Sequence, residues 1–389
     1  MPRRRADQEA EHPMNRFGDE ELKAVKRVLD SGLLSGFFKN MRGGPEVQSF
    51  EEALAKYVGV KYALSCSNGT AALHLALMAA GVKRGMKVAC PPLTFSATAS
   101  SILMVGAEPV FVDVEQDTYN IDPERLARVC EVERIDAVIP VSLLGVPVRM
   151  DLVTNLSDKY DMIVIEDAAQ ALGASYRGRK IGAWGHLATL SGQDTKTCSY
   201  GGEGGAVLTD SDEYAERIIR LRNHGQQYPY PSPGGTEANF VCFNYRLSEL
   251  HAAVAQVQLS KLDGWNKMQR ENRVILRELL EPEGYVFQGA PPDSYATHYI
   301  YGSTTARRDR LEVLQRMKDK GWSQPVPGST VGPGYTRTIM DLPLLKPYRR
   351  FCPVAEWLVS HYTWWDLGRW LTPEEFKPRA DEMLRIVKG

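Results

Sequence analysis

The 389-residue sequence lacks an uninterrupted run of about 18 apolar residues, the length needed to cross a membrane. It also lacks a dominant charge, because 47 Lys and Arg balance 48 Asp and Glu. No overall field therefore favours nucleic acid or an anionic membrane. The N-terminal stretch MPRRRADQEAEHP has no apolar segment behind its charges, so we expect neither a signal peptide nor an anchor there. Residues 1–14 are predicted to form a disordered tail.

Cysteine pairs and nucleotide-binding glycine motifs are also missing. The six cysteines form no CxxC pair, so we expect no structural zinc site and no other metal site. Reduced thiols in a cytoplasmic protein are the expected state. The sequence contains no GxxxxGK[ST], and GGEGG does not open a helix after the first predicted strand. Neither an ATPase nor a simple NAD dehydrogenase is therefore supported.

Short apolar runs alternate with helical patterns from about residue 60 to residue 210. This alternation predicts an α/β fold with a mostly parallel, seven-stranded central sheet and helices on both faces. The predicted strands are Lys61–Cys66, Val88–Pro91, Pro109–Val114, Ala137–Val141, Met162–Glu166, Ala188–Leu190 and Gly205–Thr209. The pattern changes after about residue 270, which predicts a large domain over residues 15–265 and a smaller α+β domain over residues 266–389.

Three polar or aromatic features follow predicted strands. SCSNGTAAL places Asn68, Gly69 and Thr70 before a helix, where free N–H groups bind an anion or where Asn68 simply caps the helix. PPLTFSAT leaves Phe95 after a strand, where it stacks on a flat ring or packs in the core or a lid. MIVIEDAAQ ends a strand at Asp167, and a helix is expected to start there.

A carboxylate at the carboxyl end of a parallel strand lies where α/β sheets bind ligands. Asp167 could keep a pyridine nitrogen protonated there, or cap the following helix. Lys196 lies in SGQDTKTCSYGGEGG, either as a solvated surface lysine or as an amine that forms a Schiff base with a carbonyl. An anion cradle, a stacking aromatic ring, an acid and a lysine in this order predict binding of pyridoxal 5′-phosphate (PLP).

The sequence resembles the DegT/DnrJ/EryC1/StrS family of PLP-dependent sugar aminotransferases from about Phe17 to the C-terminus, most strongly over residues 45–265. The segments that carry the resemblance are FEEALAKYVGVKYALSCSNGTAALHLAL, PPLTFSATASSILMVGAEPVFVDVEQDTYNIDP, VIEDAAQALGASYRGRKIG, the SxxxxK…GEGG segment, LRNHG and FNYRLSELHAAVAQVQLSKLD. The resemblance implies fold type I, PLP as cofactor, and a homodimer with shared active sites.

The resemblance also implies a role for each matching residue that faces the cofactor ring. Lys196 would form the Schiff base and then move a proton between substrate and cofactor. Asp167 would pair with the pyridine nitrogen, and Gln170 would approach the ring and its 3-oxygen. Phe95 would stack on the pyridine face.

The remaining implied roles concern the phosphate and the subunit interface. Gly69, Thr70 and Ser191 would bind the phosphate. Asn244 would reach the phosphate of the cofactor in the neighbouring subunit. Arg246 would approach the substrate across the same interface, or serve instead as a structural ion-pair partner.

Several positions depart from the family pattern. Ser142 in PVSLLG takes the place of a histidine, and Gly192 takes that of a phenylalanine after the phosphate-binding serine. The interval from the lysine to GEGG is one residue longer than usual. The C-terminal region lacks a YxPxH-like segment, and its Trp364, Trp365 and Trp370 either line the pocket or form core, with core favoured.

The predicted reaction moves an amino group from glutamate or glutamine to a keto-sugar, foremost a nucleotide-linked keto-deoxysugar, by a ping-pong mechanism through pyridoxamine phosphate. The alternative acceptor is a keto-cyclitol of the scyllo-inosose type, as in aminoglycoside biosynthesis. A PLP-dependent dehydratase is less favoured, because the sugar dehydratase branch has His in place of Lys196. A non-catalytic sensor is less favoured, because Lys196, Asp167 and Gln170 are all present.

Overall fold

The computed structural model describes residues 16–37, 39–225, 241–320, 322, 337–365, 367 and 370–389. Within these ranges the α-helices are α1 (Asp19–Ser31), α2 (Pro45–Val58), α3 (Gly69–Ala79), α4 (Ser96–Met104), α5 (Pro123–Val132), α6 (Met150–Tyr160), α7 (Asp212–Leu221), α8 (Glu249–Leu280), α9 (Arg310–Asp319), α10 (Pro353–His361) and α11 (Pro373–Lys388). The strands are β1 (Tyr62–Cys66), β2 (Lys87–Cys90), β3 (Glu108–Phe111), β4 (Ala137–Val138), β5 (Ile163–Asp167), β6 (Ser175–Tyr176), β7 (Arg179–Lys180), β8 (Leu187–Ser191), β9 (Gly205–Thr209), β10 (Tyr285–Phe287), β11 (Ser294–Tyr295), β12 (Tyr301–Thr305) and β13 (Tyr362–Trp365).

The central sheet has seven strands in the order β1-β9-β8-β5-β4-β2-β3. The pairs β5–β8, β4–β5, β2–β4 and β2–β3 are parallel. β9 is antiparallel to both of its neighbours, β1 and β8. The predicted α/β fold with a mostly parallel seven-stranded sheet is therefore confirmed.

Both faces of this sheet are covered by apolar side chains. Val164 and Ile165 are consecutive in β5 and fully buried, yet they belong to opposite hydrophobic clusters. The same holds for Val207 and Leu208 in β9. Successive side chains of a strand point to opposite faces, so strands that are buried on both sides are apolar at every position. This explains why the sequence shows continuous apolar runs rather than alternation.

The C-terminal part of the chain forms a second sheet that packs against helices. β10, β12 and β13 make a three-stranded antiparallel sheet. Its apolar side chains pack with those of α9, α11 and the end of α8 in a separate cluster. The predicted domain boundary at residue 265 falls inside α8, which continues to Leu280. The division into residues 15–265 and 266–389 stays a prediction, and the predicted tail at residues 1–14 lies outside the described residues.

Two of the three C-terminal tryptophans occupy core positions. Trp364 and Trp365 are neighbours in β13, and their side chains join different apolar clusters. Trp365 also donates a 2.9 Å hydrogen bond from Nε1 to Ser303 Oγ. The favoured prediction of core is confirmed for these two residues.

The prediction of a helix directly after Asp167 is wrong. Residues 168–174 form two successive turns, in which Ala171 N–H donates to Ala168 O and Ala174 N–H donates to Ala171 O, both at 2.9 Å. Gly173 has φ +93°, and a side chain there would lie 2.4 Å from Asn266 Nδ2 on α8. The close approach of α8 therefore requires a glycine in left-handed conformation, which ends any helix at this point.

Across the residues with assigned positions, no helix is both long and apolar enough to span a membrane. All six cysteines have free thiols.

Candidate active site

The carboxyl ends of β1, β2, β5 and β8 border a cavity of about 750 Å³. Parallel strands end at the same edge of a sheet, which is where α/β proteins bind ligands. Seven of the predicted site residues line this cavity: Gly69, Thr70, Phe95, Asp167, Gln170, Ser191 and Lys196. The tertiary structure thus brings together residues from four separate loops of the sequence.

The N-terminus of α3 faces the end of β8 inside the cavity. Asn68 caps this helix, because its Oδ1 accepts a 2.8 Å hydrogen bond from Ala71 N–H. A side chain at Gly69 would place its Cβ 2.9 Å from the Cβ of Ser191, so only glycine permits this close approach. The cap alternative therefore holds for Asn68. The first turn of α3 and the Ser191 hydroxyl together form a cradle that fits a phosphate group.

Asp167 is the buried acid of the cavity, with 6% of its surface exposed. Its Oδ2 accepts from Thr98 Oγ1 at 2.9 Å, and its Oδ1 accepts from Ala169 N–H at 3.2 Å. Burial raises the pKa of Asp167, while these two hydrogen bonds and the positive charge of Lys196 lower it. No lysine or arginine in the described ranges forms an ion pair with this carboxylate, so a protonated ring nitrogen fits beside it.

Gln170 and Ser142 lie next to Asp167 but differ in what they offer the cavity. Gln170 lines the cavity, and its Oε1 accepts a 2.8 Å hydrogen bond from Leu144 N–H. Ser142 is 3% exposed, and its N–H donates to the carbonyl of Asp167 at 3.2 Å. The position where the family pattern has a histidine is thus a main-chain support for Asp167.

Phe95 precedes α4 at the rim of the cavity and is 46% exposed. Met104, at the end of the same helix, also lines the cavity and is 48% exposed. The alternative that Phe95 packs in the core is therefore wrong. An exposed aromatic face at the rim is free to stack on a flat ring that enters the cavity.

Lys196 lies in a loop of residues 192–200, here called the lysine loop, which connects β8 towards β9. Its side chain is half-buried, and its Nζ lies 4.8 Å from the centroid of the Tyr299 ring. Main-chain hydrogen bonds of 2.8 Å from Gly192 N–H to Gly204 O and from Asp194 N–H to Gly202 O close the base of the loop. The alternative of a solvated surface lysine is wrong, because Lys196 points into the cavity that holds the other predicted residues.

Tyr200 explains why the chain departs from the family pattern at Gly192. A Cβ atom at position 192 would lie 2.2 Å from Cγ of Tyr200, and one at position 204 would lie 2.3 Å from its Cδ2. The Tyr200 ring is fully buried between these two glycines and contacts Phe50 edge to face at 4.8 Å. Tyr200 lies in the interval between the lysine and GEGG, and its ring fills the space next to Gly192.

Asn244 and Arg246 do not line the cavity within one chain. Asn244 is exposed, and its main chain forms an isolated bridge with Asn223. Arg246 donates from Nη1 to Asn223 Oδ1 at 3.0 Å and lies 5.9 Å from the centroid of the Phe37 ring.

Sequence reasoning missed several residues at the site, and three of them contact the predicted acid, the predicted lysine or the lysine loop. Thr98 binds Asp167, Tyr299 faces Lys196, and Arg16 binds the main chain of the lysine loop. Thr98 lies three residues after Phe95 in PPLTFSAT, so its position near the site could have been predicted from the sequence. Arg16 and Tyr299 lie far from Lys196 along the chain and carry no local signal.

A parallel α/β sheet with a phosphate cradle, a buried acid and a lysine at its carboxyl edge defines the class of PLP-dependent enzymes. The chain belongs to the DegT/DnrJ/EryC1/StrS aminotransferase family, which matches over residues 15–378. It is accordingly a PLP-dependent aminotransferase.

Relatives cover most of the chain. A pleiotropic regulatory protein of Geobacillus stearothermophilus is 35% identical over 304 residues, which are 78% of this chain and 79% of that protein. The solved structure of S. venezuelae DesV, in complex with a ketimine intermediate, is 30% identical with a TM-score of 0.83 and covers 95% of this chain and 93% of that one. DesI, solved in the presence of its TDP-sugar product, is 28% identical with a TM-score of 0.79 and covers 95% and 90% of the two chains.

Proposed function

We propose that this aminotransferase moves an amino group from glutamate or glutamine to a keto-sugar, foremost a nucleotide-linked keto-deoxysugar. The observation that carries the proposal is the meeting of Lys196, Asp167 and the Gly69–Ser191 cradle in one cavity. The TDP-sugar product of DesI supports a nucleotide-linked acceptor.

Lys196 and Asp167 divide the chemistry between them. When bound, PLP supplies an electron sink that stabilises negative charge on the carbon that loses its proton. Lys196 Nζ would hold the cofactor at its aldehyde, and as a free amine it would carry the proton to and from the substrate carbon. Asp167 would hold a proton on the ring nitrogen, because a buried carboxylate gains most from a partner of opposite charge.

The other cavity residues orient the cofactor. Gly69 and Thr70 at the start of α3 and Ser191 at the end of β8 would bind the phosphate with main-chain N–H and hydroxyl groups. Phe95 would stack on the ring from the rim, and Gln170 would contact the ring and its 3-oxygen. Each of these residues then limits the freedom of the bound cofactor, which lowers the entropy cost of reaction.

The proposed assembly is a homodimer with shared active sites in the cytoplasm. Asn244 is exposed and outside its own cavity, as a residue that reaches a neighbouring subunit's phosphate must be. Arg246 follows it closely and would approach the substrate across the same interface. The Asn223 amide, which accepts from Arg246, would hold its guanidinium there.

The test follows each half of the reaction by absorbance. We expect the protein supplied with PLP to absorb in the visible, to lose that band with glutamate or glutamine, and to regain it with a keto-acceptor. Lys196→Ala should remove the band and lower activity by more than about 10⁴-fold, because both the covalent attachment and the general base are lost. Lys26→Ala, at an exposed lysine on α1, serves as the control.

The acceptor panel contains nucleotide-linked keto-deoxysugars and keto-cyclitols. Return of the visible band with the nucleotide-linked sugars supports the proposed acceptor, whereas return with keto-cyclitols alone supports the alternative. A wild-type protein that stays colourless after PLP is added contradicts the catalytic proposal as a whole.

A further inference from the structure

The lysine loop lies between glycines, yet its lysine has to be held in place. Gly192 begins the loop, and Gly201 and Gly202, with φ of +80° and +122°, follow it directly. Glycine leaves the main chain more freedom than any other residue. A group that attacks an aldehyde must be placed to within about 0.5 Å, so the loop needs support from outside itself.

Arg16 supports the loop from the side of the main chain. Its side chain is 5% exposed, and its Nη1 donates to the carbonyl of Lys196 at 2.6 Å. Its Nη2 donates to the carbonyl of Asp194 and, at 2.9 Å, to the Asp194 carboxylate. A planar guanidinium presents its donors to two carbonyl groups in a rigid fork, whereas a lysine ammonium is a point charge at the end of a flexible stem.

Trp370 holds the guanidinium of Arg16 in this position. The Arg16 Cζ lies 4.5 Å from the centroid of the Trp370 ring, a cation–π distance. Trp370 in turn meets Trp265 of α8 edge to face at 5.6 Å. The third C-terminal tryptophan therefore packs behind the lysine loop, outside the residues that line the cavity.

Tyr299 supports the loop from the cavity side. It is 4% exposed, its ring faces Lys196 Nζ, and its hydroxyl lies 3.0 Å from Thr195 Oγ1. Thr195 Oγ1 donates in turn to Gln193 Oε1 at 2.7 Å, so the Tyr299 hydroxyl is the donor to Thr195.

Close main-chain packing against Gly145 fixes the backbone at Tyr299. Thr297 N–H donates to Gly145 O at 2.9 Å, and a Cβ atom at Gly145 would lie 2.8 Å from the Tyr299 nitrogen. His298, between them, has φ +53°, a conformation that non-glycine residues seldom adopt. The main chain at Tyr299 is therefore placed by its packing against Gly145, outside the lysine loop.

We propose that Arg16 and Tyr299 are positioning residues that hold the lysine loop from its two sides and so present Lys196 Nζ to the cavity. The functional part of this inference rests on the proposed role of Lys196, whereas the hold on the loop does not. Neither residue needs to touch the substrate for this role.

The first test is hydrogen exchange followed by mass spectrometry on cofactor-free protein. Arg16→Met should speed amide exchange in residues 192–200 by about tenfold or more, because three hydrogen bonds from a charged donor are lost. Tyr299→Leu should also speed it, and exchange in α8 should stay unchanged in both variants. Arg27→Met removes a surface guanidinium that pairs with Glu46, and this control should leave the loop unaffected.

The second test uses the loaded enzyme. Arg16→Met and Tyr299→Leu should weaken the circular dichroism of the bound cofactor and lower kcat by about tenfold or more with little change in KM for the amino donor. Tyr299→Phe keeps the ring beside Lys196 and should retain most of the dichroism, and Arg16→Lys should not restore what Arg16→Met loses.

If amide exchange rises equally in α8 and in the lysine loop, Arg16 and Tyr299 stabilise the fold in general and do not hold the loop specifically. This result would overturn the proposal. Exchange and dichroism that do not change would overturn it as well. Because the exchange experiment needs neither cofactor nor turnover, loop-specific exchange supports the hold on the loop even if the wild type transfers no amino group. Failure of the proposed function is read separately, from wild-type turnover.

Discussion

Two adjacent carboxylates at the end of β5 have different tasks. Glu166 is 2% exposed and accepts from the N–H groups of Gly182, Trp184 and Gly185 at 2.7–2.9 Å, so it holds the turn after β7. Asp167 accepts two hydrogen bonds and faces the cavity. Alternation along the strand sends consecutive side chains to opposite sides, and this explains the division of tasks.

The cost of burying Asp167 gives a prediction about stability and pH. Because burial raises its pKa, the folded state of the cofactor-free protein holds this proton more tightly than the unfolded chain does. The contribution of Asp167 to the free energy of unfolding therefore falls as pH rises through the raised pKa. Asp167→Asn should raise Tm of the cofactor-free protein at pH 7, with a smaller gain near pH 4. Thermal unfolding across this pH range measures the difference.

The same variant should lose the benefit of the cofactor. In the proposed site the ring nitrogen of PLP pairs with Asp167 and this pairing stabilises the wild type, so Asp167→Asn should gain less in Tm from saturating PLP. Its activity should fall by about 10²-fold or more, since the ring nitrogen is no longer held protonated. An equal rise in Tm on adding PLP to the wild type and to the variant would show that Asp167 does not contact the cofactor.

At the scale of elements, the packing of the β8–β9 connection depends on a glycine at position 192 and a large ring at position 200. Gly192 has no side chain, and the ring of Tyr200 occupies the adjoining space. The loop therefore keeps a packed interior without the phenylalanine that the family pattern has at this position. Protein interiors tolerate neither extra atoms nor voids, so the two residues should be energetically coupled.

Gly192→Ala should accordingly lower the free energy of unfolding by about 1–3 kcal/mol, because the added Cβ overlaps the Tyr200 ring. Gly264→Ala is the matched control in α8, where nothing lies within 4 Å of an added Cβ, and it should stabilise the protein by about 0.5–1 kcal/mol. Urea unfolding of the single variants and of the double variant Gly192→Ala/Tyr200→Ala measures the coupling. Strict additivity in this cycle would show that the two residues do not share one space.

At the scale of the whole molecule, the proposed homodimer with shared active sites predicts complementation between two inactive variants. Asn244→Asp places a carboxylate where the partner's phosphate would bind and should weaken PLP binding by repulsion. When it is refolded in equal amounts with Lys196→Ala, half of the dimers are mixed, and each mixed dimer has one intact site. Activity should recover to about a quarter of the wild-type level.

If Asn244 instead acted within its own chain, no site in the mixed dimer would be intact. The mixture would then stay as inactive as the separate variants. A monomeric protein would give the same negative result. The oligomeric state of the wild type is therefore measured by analytical sedimentation in parallel.

The sequence by itself determined the order of most strands and helices along the chain, the mostly parallel sheet and several residues that line the cavity from the strand ends. Local patterns carry these features, because apolar periodicity and the residues directly after a strand are set by neighbours in the chain. Gly69, Phe95, Asp167 and Lys196 were found in this way, whereas Ser191 was implied by the family resemblance. Even so, the turns after Asp167 escaped prediction, because the approach of α8 excludes a helix there.

Only the tertiary structure decided how the lysine is held. Arg16 is 180 residues from Lys196, and Tyr299 is 104 residues from the Thr195 that it binds. No local pattern marks an arginine or tyrosine as the partner of a loop that far away. Their roles arise when folding brings residues from both sides of the lysine loop in the sequence against that loop, since packing and hydrogen bonding depend on distance in space and not along the chain.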